Sequence, residues 1–265
     1  MQSKEVRVEN VVKKRLPHFH PNFPIILFWS QKSGCTTFLK WFFFQVDLLE
    51  EAIDYNPWVH FYENEVYKQK PTYMQDVIDH LLTKKKDTLK LVRNPYKRAV
   101  SQFLILATSK GNQHWEKEWE KIREFFYHDK NSTKGITFKQ FLHYIQEAEG
   151  YDSHFAPQYE PGEEEFVDQY IYLETFQKQI KQIEDKYKLK SSNLLELSKS
   201  THHLSPAMKL KGNFADKEIS ESTFITTGKF PTYKSFYDKE AIQLVNTVFS
   251  NDFEVYGYKK LTRTW

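Results

Sequence analysis

Lys32, Ser33, Gly34, Cys35, Thr36 and Thr37 form one unbroken run of small and hydroxyl-bearing residues led by a lysine. If that run opens a helix, free backbone N–H groups and the positive end of the helix dipole face the loop, where an anion can sit. The threonine hydroxyls add donors, and Lys32 adds a mobile positive charge. An ordinary strand-to-helix turn with a surface lysine would use the same residues, and the loop alone does not separate these readings. It is not a Walker A loop, whose lysine follows the second glycine and directly precedes Ser or Thr; here Lys32 comes before the glycine. That order weakens a reading as an ATP- or GTP-dependent kinase.

A second set begins at Arg93, in Arg93-Asn-Pro-Tyr-Lys-Arg98, with Ser101 eight positions after the arginine. Arginine's planar fork suits a phosphate dianion, and a serine hydroxyl can complete the contact. For the arginine alone, a structural ion pair beside a surface serine fits as well. A third set carries histidines. His154 lies in Asp152-Ser-His-Phe-Ala-Pro-Gln158, a loop rich in donors and acceptors, and His60 lies in the aromatic stretch 54–71 with Glu63 three residues on. A positioned histidine or carboxylate can take the proton of an attacking hydroxyl, although a histidine beside Phe155 and Pro157 is more often structural.

The elements that must hold these residues are readable from pattern. Residues 25–29 are an apolar, β-branched and aromatic run between Pro24 and Ser30, the signature of a strand buried on both faces at the centre of a parallel sheet. Residues 38–49 read as a buried helix. Residues 88–92 read as a strand that delivers Arg93 to its carboxyl end, where open α/β sheets bind ligands, and Pro95 suits the first turn of the helix that follows. Residues 74–82 have helical spacing and end on Lys84, Lys85 and Lys86, a solvated terminus. The stretch 54–71 is turn-rich, as in a loop over a site or a small aromatic subcore. Trp115, Trp119, Ile122 and Phe126 recur as a buried helical stripe, and Thr137 with Gln140 forms a capping box. Residues 170–174 read as another core strand, Glu163 to Glu165 as a solvated acidic loop, and 238–249 as a helix. His202 and His203 fall in a polar loop, and the stretch from Thr227 to Ser235 offers hydroxyls and lysines.

Size and composition bound the rest. A chain of 265 residues, 40% hydrophobic and 17% aromatic, can bury a sizeable core. A formal charge of +3 gives no ground for a nucleic-acid partner. One cysteine excludes an internal disulfide framework and a cysteine-based zinc site, and no cluster completes a metal site around His18 and His20. No apolar run is long enough to cross a bilayer, and the first twenty residues lack a signal-peptide core. We therefore expect a cytoplasmic protein with an N-terminal arm over 1–22, broken by Pro17 and Pro21, and one domain over 23–265.

Taken together, the motifs resemble one family. Lys-Ser-Gly-Cys-Thr-Thr-Phe resembles the Lys-x-x-x-Thr-Thr-Trp 5′-phosphosulfate loop of sulfotransferases, with Gln31 in place of the usual proline and Phe38 in place of tryptophan. Arg93 to Ser101 resembles that family's 3′-phosphate motif. The 152–158 segment and Asp252-Phe-Glu-Val-Tyr-Gly-Tyr258 are similar to segments of its carbohydrate (Golgi-type, sulfotransferase family 2-like) branch. The resemblance runs from about residue 25 to 258. It implies a single α/β, P-loop-like domain with a central parallel sheet flanked by helices. It further implies 3′-phosphoadenosine 5′-phosphosulfate (PAPS) as cofactor, held by Lys32, Ser33, Gly34, Cys35, Thr36, Thr37, Arg93 and Ser101, and a hydroxyl-bearing acceptor, a saccharide. No metal is expected, because a sulfuryl group carries less charge than a phosphoryl group. Lys32 would be catalytic, with His154 as base and His60 or Glu63 as the alternative. Against this stand a P-loop-like small-molecule kinase and a non-catalytic binder of a phosphorylated ligand; neither needs the 3′-phosphate pocket of Arg93 and Ser101.

Overall fold

A computed structural model describes residues 3–108, 113–199, 204–220, 222, 223, 226 and 228–265. His202, His203 and Thr227 lie outside the described residues. In chain order the elements are α1 (Lys4–Lys14), β1 (Ile25–Phe28), α2 (Cys35–Gln45), α3 (Leu49–Tyr55), α4 (His60–Glu65), α5 (Tyr73–Thr83), β2 (Asp87–Val92) and α6 (Pro95–Ala107). They continue with α7 (Gln113–Tyr127), α8 (Phe138–Glu147), β3 (Gln169–Tyr172), α9 (Phe176–Tyr187), α10 (Leu194–Leu197), β4 (Met208–Leu210), β5 (Phe230–Pro231), α11 (Lys239–Val248) and α12 (Ser250–Val255). The mix of helices with a small parallel sheet is an α/β fold. Two compact units share the chain: Met1–Arg93 with Tyr159–Ser200, and Asn94–Gln158 with Thr201–Trp265.

The first unit holds the sheet, in the order β1-β2-β3, all parallel, with Leu27 opposite Leu89 and Leu91 opposite Ile171. Apolar side chains of β1 and β2 join Phe38, Leu39, Trp41, Phe42 and Phe43 of α2 in one hydrophobic cluster. The 38–49 run is helical because it contains no breaker; Gly34 starts the helix and it stops at Val46, just before Asp47 turns to φ 61°. The Trp41 indole N–H donates to the buried Glu184 of α9 at 2.9 Å, so that this core carboxylate is satisfied.

The second unit has a core of its own. Asn94 caps α6 by accepting from the Lys97 N–H, and Pro95 occupies its first turn. The capping box of Thr137 and Gln140 is present at the start of α8. Trp115, Trp119 and Ile122 of α7 are buried with Phe138, Phe141 and Leu142 of α8, while Phe126 is only partly buried.

Four local expectations are corrected. The 1–22 segment is not an irregular arm: Ser3 caps α1, whose Val8, Val11 and Val12 are buried on one face, and α1 packs against α5. Three valines at helical spacing were masked by the charged residues around them. β1 is an edge strand of the described sheet rather than its centre, and its outer side carries an antiparallel bridge from His18 to Leu27. The turn-rich 54–71 stretch includes helix α4, which begins at His60. Glu163 is not solvated: it is buried against Lys90, which projects from β2 into the interior and needs a counter-charge.

From Thr88 to Val92 the side chains of β2 are buried, and Leu91 is fully so. Leu91→Ala should cost about 2–5 kcal/mol of unfolding free energy, the range for emptying a buried leucine site, measurable by equilibrium urea denaturation.

Candidate active site

The turn after β1 is locked by its serines. The Ser33 N–H and hydroxyl both donate to the Ser30 carbonyl, and the Ser30 N–H donates back to Ser33 Oγ at 3.3 Å; both residues are buried. Lys32 sits in the left-handed region at φ 64°, a conformation that costs a non-glycine residue energy. The guanidinium of Arg93, from the end of β2, donates to the Lys32 carbonyl at 2.8 Å and braces it there. Gly34 follows at φ 97° and serves as the cap of α2. A Cβ at Gly34 would lie 2.6 Å from Leu173 Cδ1, whose side chain would have to shift, and the positive φ would strain any other residue. Because this cap has no side chain, no side-chain hydrogen bond closes the start of α2. The N–H groups at Cys35, Thr36 and Thr37 are therefore open to an anion from outside the chain. Thr36 and Cys35 are half-buried there, and Thr37 is buried.

His60 is brought to this loop. Its Nε2 lies 3.2 Å from Thr36 Oγ1 and its Nδ1 2.6 Å from Glu63 Oε2. Trp29 and Trp58 flank the ring, with centroids at 6.1 and 5.1 Å. Glu63 is 1% exposed and accepts from Lys68 Nζ on Oε1 at 2.6 Å, while His18 Nδ1 stands 3.3 Å from that same oxygen without hydrogen-bond geometry. His18 is itself buried and stacks on Trp29 and Phe42.

The electrostatics follow from these contacts. Burial alone would raise the Glu63 carboxyl, but Lys68, His18 and His60 outweigh it and hold it well below the usual carboxylate range. Burial pushes His18 down, helped by Lys68, to about 4. Burial also pushes His60 down, but hydrogen bonds to Cys35 and Glu63 overcome it and raise the imidazole to about 10. The Cys35 thiol, pushed up by burial, is brought below its ordinary value by His60 and Lys32.

The second unit holds the other two predicted residues. Ser101 lies on α6, half-buried. His154 is 31% exposed; its Nδ1 is 2.6 Å from Asp152 Oδ1, and its backbone N–H donates to the same oxygen. The hydrogen bond from His154 holds the Asp152 carboxyl below its usual range. The loop is anchored from α6, where Gln102 donates to the His154 carbonyl at 2.7 Å and Arg98 to the Ala156 carbonyl at 2.8 Å. The Gln158 N–H donates to both oxygens of the buried Asp252, at 2.9 and 3.1 Å. Sequence reasoning missed Arg98 and Gln102; the available signal was two polar residues four apart on an otherwise apolar helix face. It also missed that His18 and Lys68 converge on Glu63, for which no local pattern exists.

The model of the sulfotransferase family matches residues 19–259. The chain belongs to the sulfotransferase family. The match takes in Lys32 to Thr37, His60, Glu63, Lys68, Arg93, Ser101 and His154 of this sulfotransferase-family protein, and begins one residue after His18. No match is found among curated proteins or among solved structures. Among the described residues, no helix of this family member is long and apolar enough to cross a membrane, and no group of three or more His, Cys, Asp or Glu is placed to hold a metal ion.

The buried histidines predict opposite pH limbs of stability. His18, depressed to about 4 from 6.5, contributes fully above 6.5, and its contribution is lost as pH falls from there. Glu63, also held low, adds to the acid-side loss. His60, raised to about 10, contributes fully below 6.5 and loses its contribution as pH rises toward 10. Thermal melts across that range should show both limbs, with His18→Phe flattening the acid side and His60→Gln the alkaline side.

Proposed function

We propose that this sulfotransferase-family chain moves a sulfuryl group from PAPS to a hydroxyl of a saccharide acceptor. The observation that carries the donor assignment is the side-chain-free cap at Gly34, which leaves the start of α2 open beside Lys32, Thr36 and Thr37. The residues fit the cofactor's 5′ end: an open helix N-terminus, two hydroxyls and one lysine suit an anionic phosphosulfate. Arg93 is assigned to the 3′-phosphate by the motif it heads, and Ser101, on α6, by the resemblance alone. The saccharide assignment is supported by the 152–158 and 252–258 segments, which are tied together through Gln158 and Asp252, and by the aromatic face of Trp58 next to His60.

When bound, the cofactor supplies an activated sulfuryl group on a phosphate leaving group. The chain's part is positioning and electrostatics. Lys32, held by Arg93 through its carbonyl, neutralises the charge that grows on the leaving oxygen. The hydroxyls of Thr36 and Thr37 and the N–H groups of α2 hold the 5′ end. The acceptor's proton must go to an unprotonated base. Two histidines have Nδ1 fixed by a carboxylate, His60 by Glu63 and His154 by Asp152. His60 is engaged on both ring nitrogens, by Glu63 and by Thr36, and the role is assigned to His154, in the segment that resembles the carbohydrate branch.

Donor choice is tested by thermal stabilisation. Saturation with 3′,5′-adenosine bisphosphate at a hundred times its Kd should add about 2.7 kcal/mol, and ATP with magnesium should not. Stabilisation by ATP with magnesium alone would overturn the assignment in favour of a kinase.

The base is tested by His154→Ala. Turnover should fall at least about a hundredfold, within the usual general-base range, with donor affinity nearly intact. Near-normal turnover in that variant would remove His154 from the chemistry.

A further inference from the structure

The contacts around His60 have a direction. Glu63, ionised and facing Lys68 Nζ at 2.6 Å, can only accept hydrogen bonds. His60 Nδ1, 2.6 Å from Glu63 Oε2, must therefore carry a proton and donate it. What remains is the bond between His60 Nε2 and Thr36 Oγ1, at 3.2 Å, which can run either way. If Nε2 is bare, it accepts the Thr36 O–H, and that proton is turned toward the imidazole. If Nε2 carries a proton, it donates to Thr36 Oγ1, and the threonine proton is released to donate elsewhere.

We propose that the buried series Lys68–Glu63–His60 is a positioning device for the donor: it holds His60 as a donor to Thr36, so that the Thr36 hydroxyl proton is free for the phosphosulfate. The series bears on donor binding only if the loop takes PAPS, so it rests on the function proposed above. Three features of the geometry support it. Glu63 is fully buried, so its charge acts on His60 with little screening. Lys68 also donates to the Leu16 carbonyl, which fixes its ammonium beside Glu63. Thr36 stands in the first turn of α2, at the end that Gly34 leaves uncapped. The titratable groups facing the series are His18 and Lys68 on Glu63, and Cys35 on His60. The upward shift of the imidazole agrees with a doubly protonated ring. Glu63, His60 and Lys68 are thus positioning residues that act through the Thr36 hydroxyl.

The test is a double-mutant cycle on nucleotide binding. Calorimetry with 3′,5′-adenosine bisphosphate gives Kd for the unaltered protein, His60→Leu, Thr36→Val and the double variant, with thermal melts to confirm folding. His60→Leu and Thr36→Val should each weaken binding by about tenfold, the scale of one charge-assisted hydrogen bond, and the double variant should be no weaker than Thr36→Val. Thr36→Ser keeps the hydroxyl and should restore sensitivity to His60→Leu, which a merely structural role for His60 would not do. Glu63→Gln, where it folds, should behave as His60→Leu does; His60→Leu carries the test where it does not. Losses that multiply in the double variant, or an unchanged Kd in His60→Leu, overturn the inference while leaving the donor assignment standing. Failure of the unaltered protein to bind this nucleotide, with binding of ATP and magnesium instead, overturns both.

Discussion

A carboxylate sealed inside an apolar core must be met by cations, and Glu63 sets that constraint for the first unit. Its partners come from three separate stretches: His18 from the segment bridged to β1, His60 from the start of α4, and Lys68 from the turn after it. Removing Lys68 would leave the carboxylate's charge uncompensated where water cannot reach it, whereas His18, depressed to about 4, packs against the carboxylate as a neutral ring. The same contacts that keep this ion group satisfied therefore hold His60 against Thr36, and stacking of His18 on Trp29 and Phe42 ties the group to the strand and helix that flank the loop. The loop's own strain is local. Lys32 is held at positive φ by the Ser30–Ser33 turn on one side and by Arg93 on the other.

The second unit solves a similar problem with hydrogen bonds to backbone. The 152–158 segment lacks regular secondary structure, so its carbonyls and N–H groups need partners. Arg98 and Gln102 supply donors from α6, and Asp252 supplies an acceptor from α12. His154 is thus presented on a loop whose ends are fixed, with Asp152 orienting the ring. The 152–158 and 252–258 segments are in direct contact through Gln158 and Asp252.

What could be read from sequence was what local pattern encodes. The strand and helix around Lys32, the strand before Arg93, the helix that Pro95 opens and the Thr137–Gln140 cap all appear where periodicity and breakers put them. The losses came where a long-range partner decides the outcome. Glu163 looks solvated in a run of three acidic residues until Lys90 is seen beneath it. α1 looks like a basic tail until its valines meet α5. The centre of the sheet was misplaced because β1 is fully buried without being flanked by two strands: the bridge from His18 and the helices cover what a neighbouring strand would have covered. The same blindness applied to the site, where Lys32, Thr36 and His60 were each identifiable, but no spacing rule could show that His60 touches Thr36 or that His18 faces Glu63.

The order in which the ribosome delivers the chain gives the parallel sheet a further property. β1 and β2 emerge early, yet β3, which pairs with β2 from Leu89 to Val92, is made only after α6, α7 and α8. Until then one edge of β2 has no strand beside it, and an unpaired edge is a template for mispairing. Both units are also assembled from two separated stretches, so no single cut in the chain yields either one whole. Expression of shortened versions would therefore strand part of each core, and a nascent chain stalled before Tyr172 would be the form most in need of a chaperone.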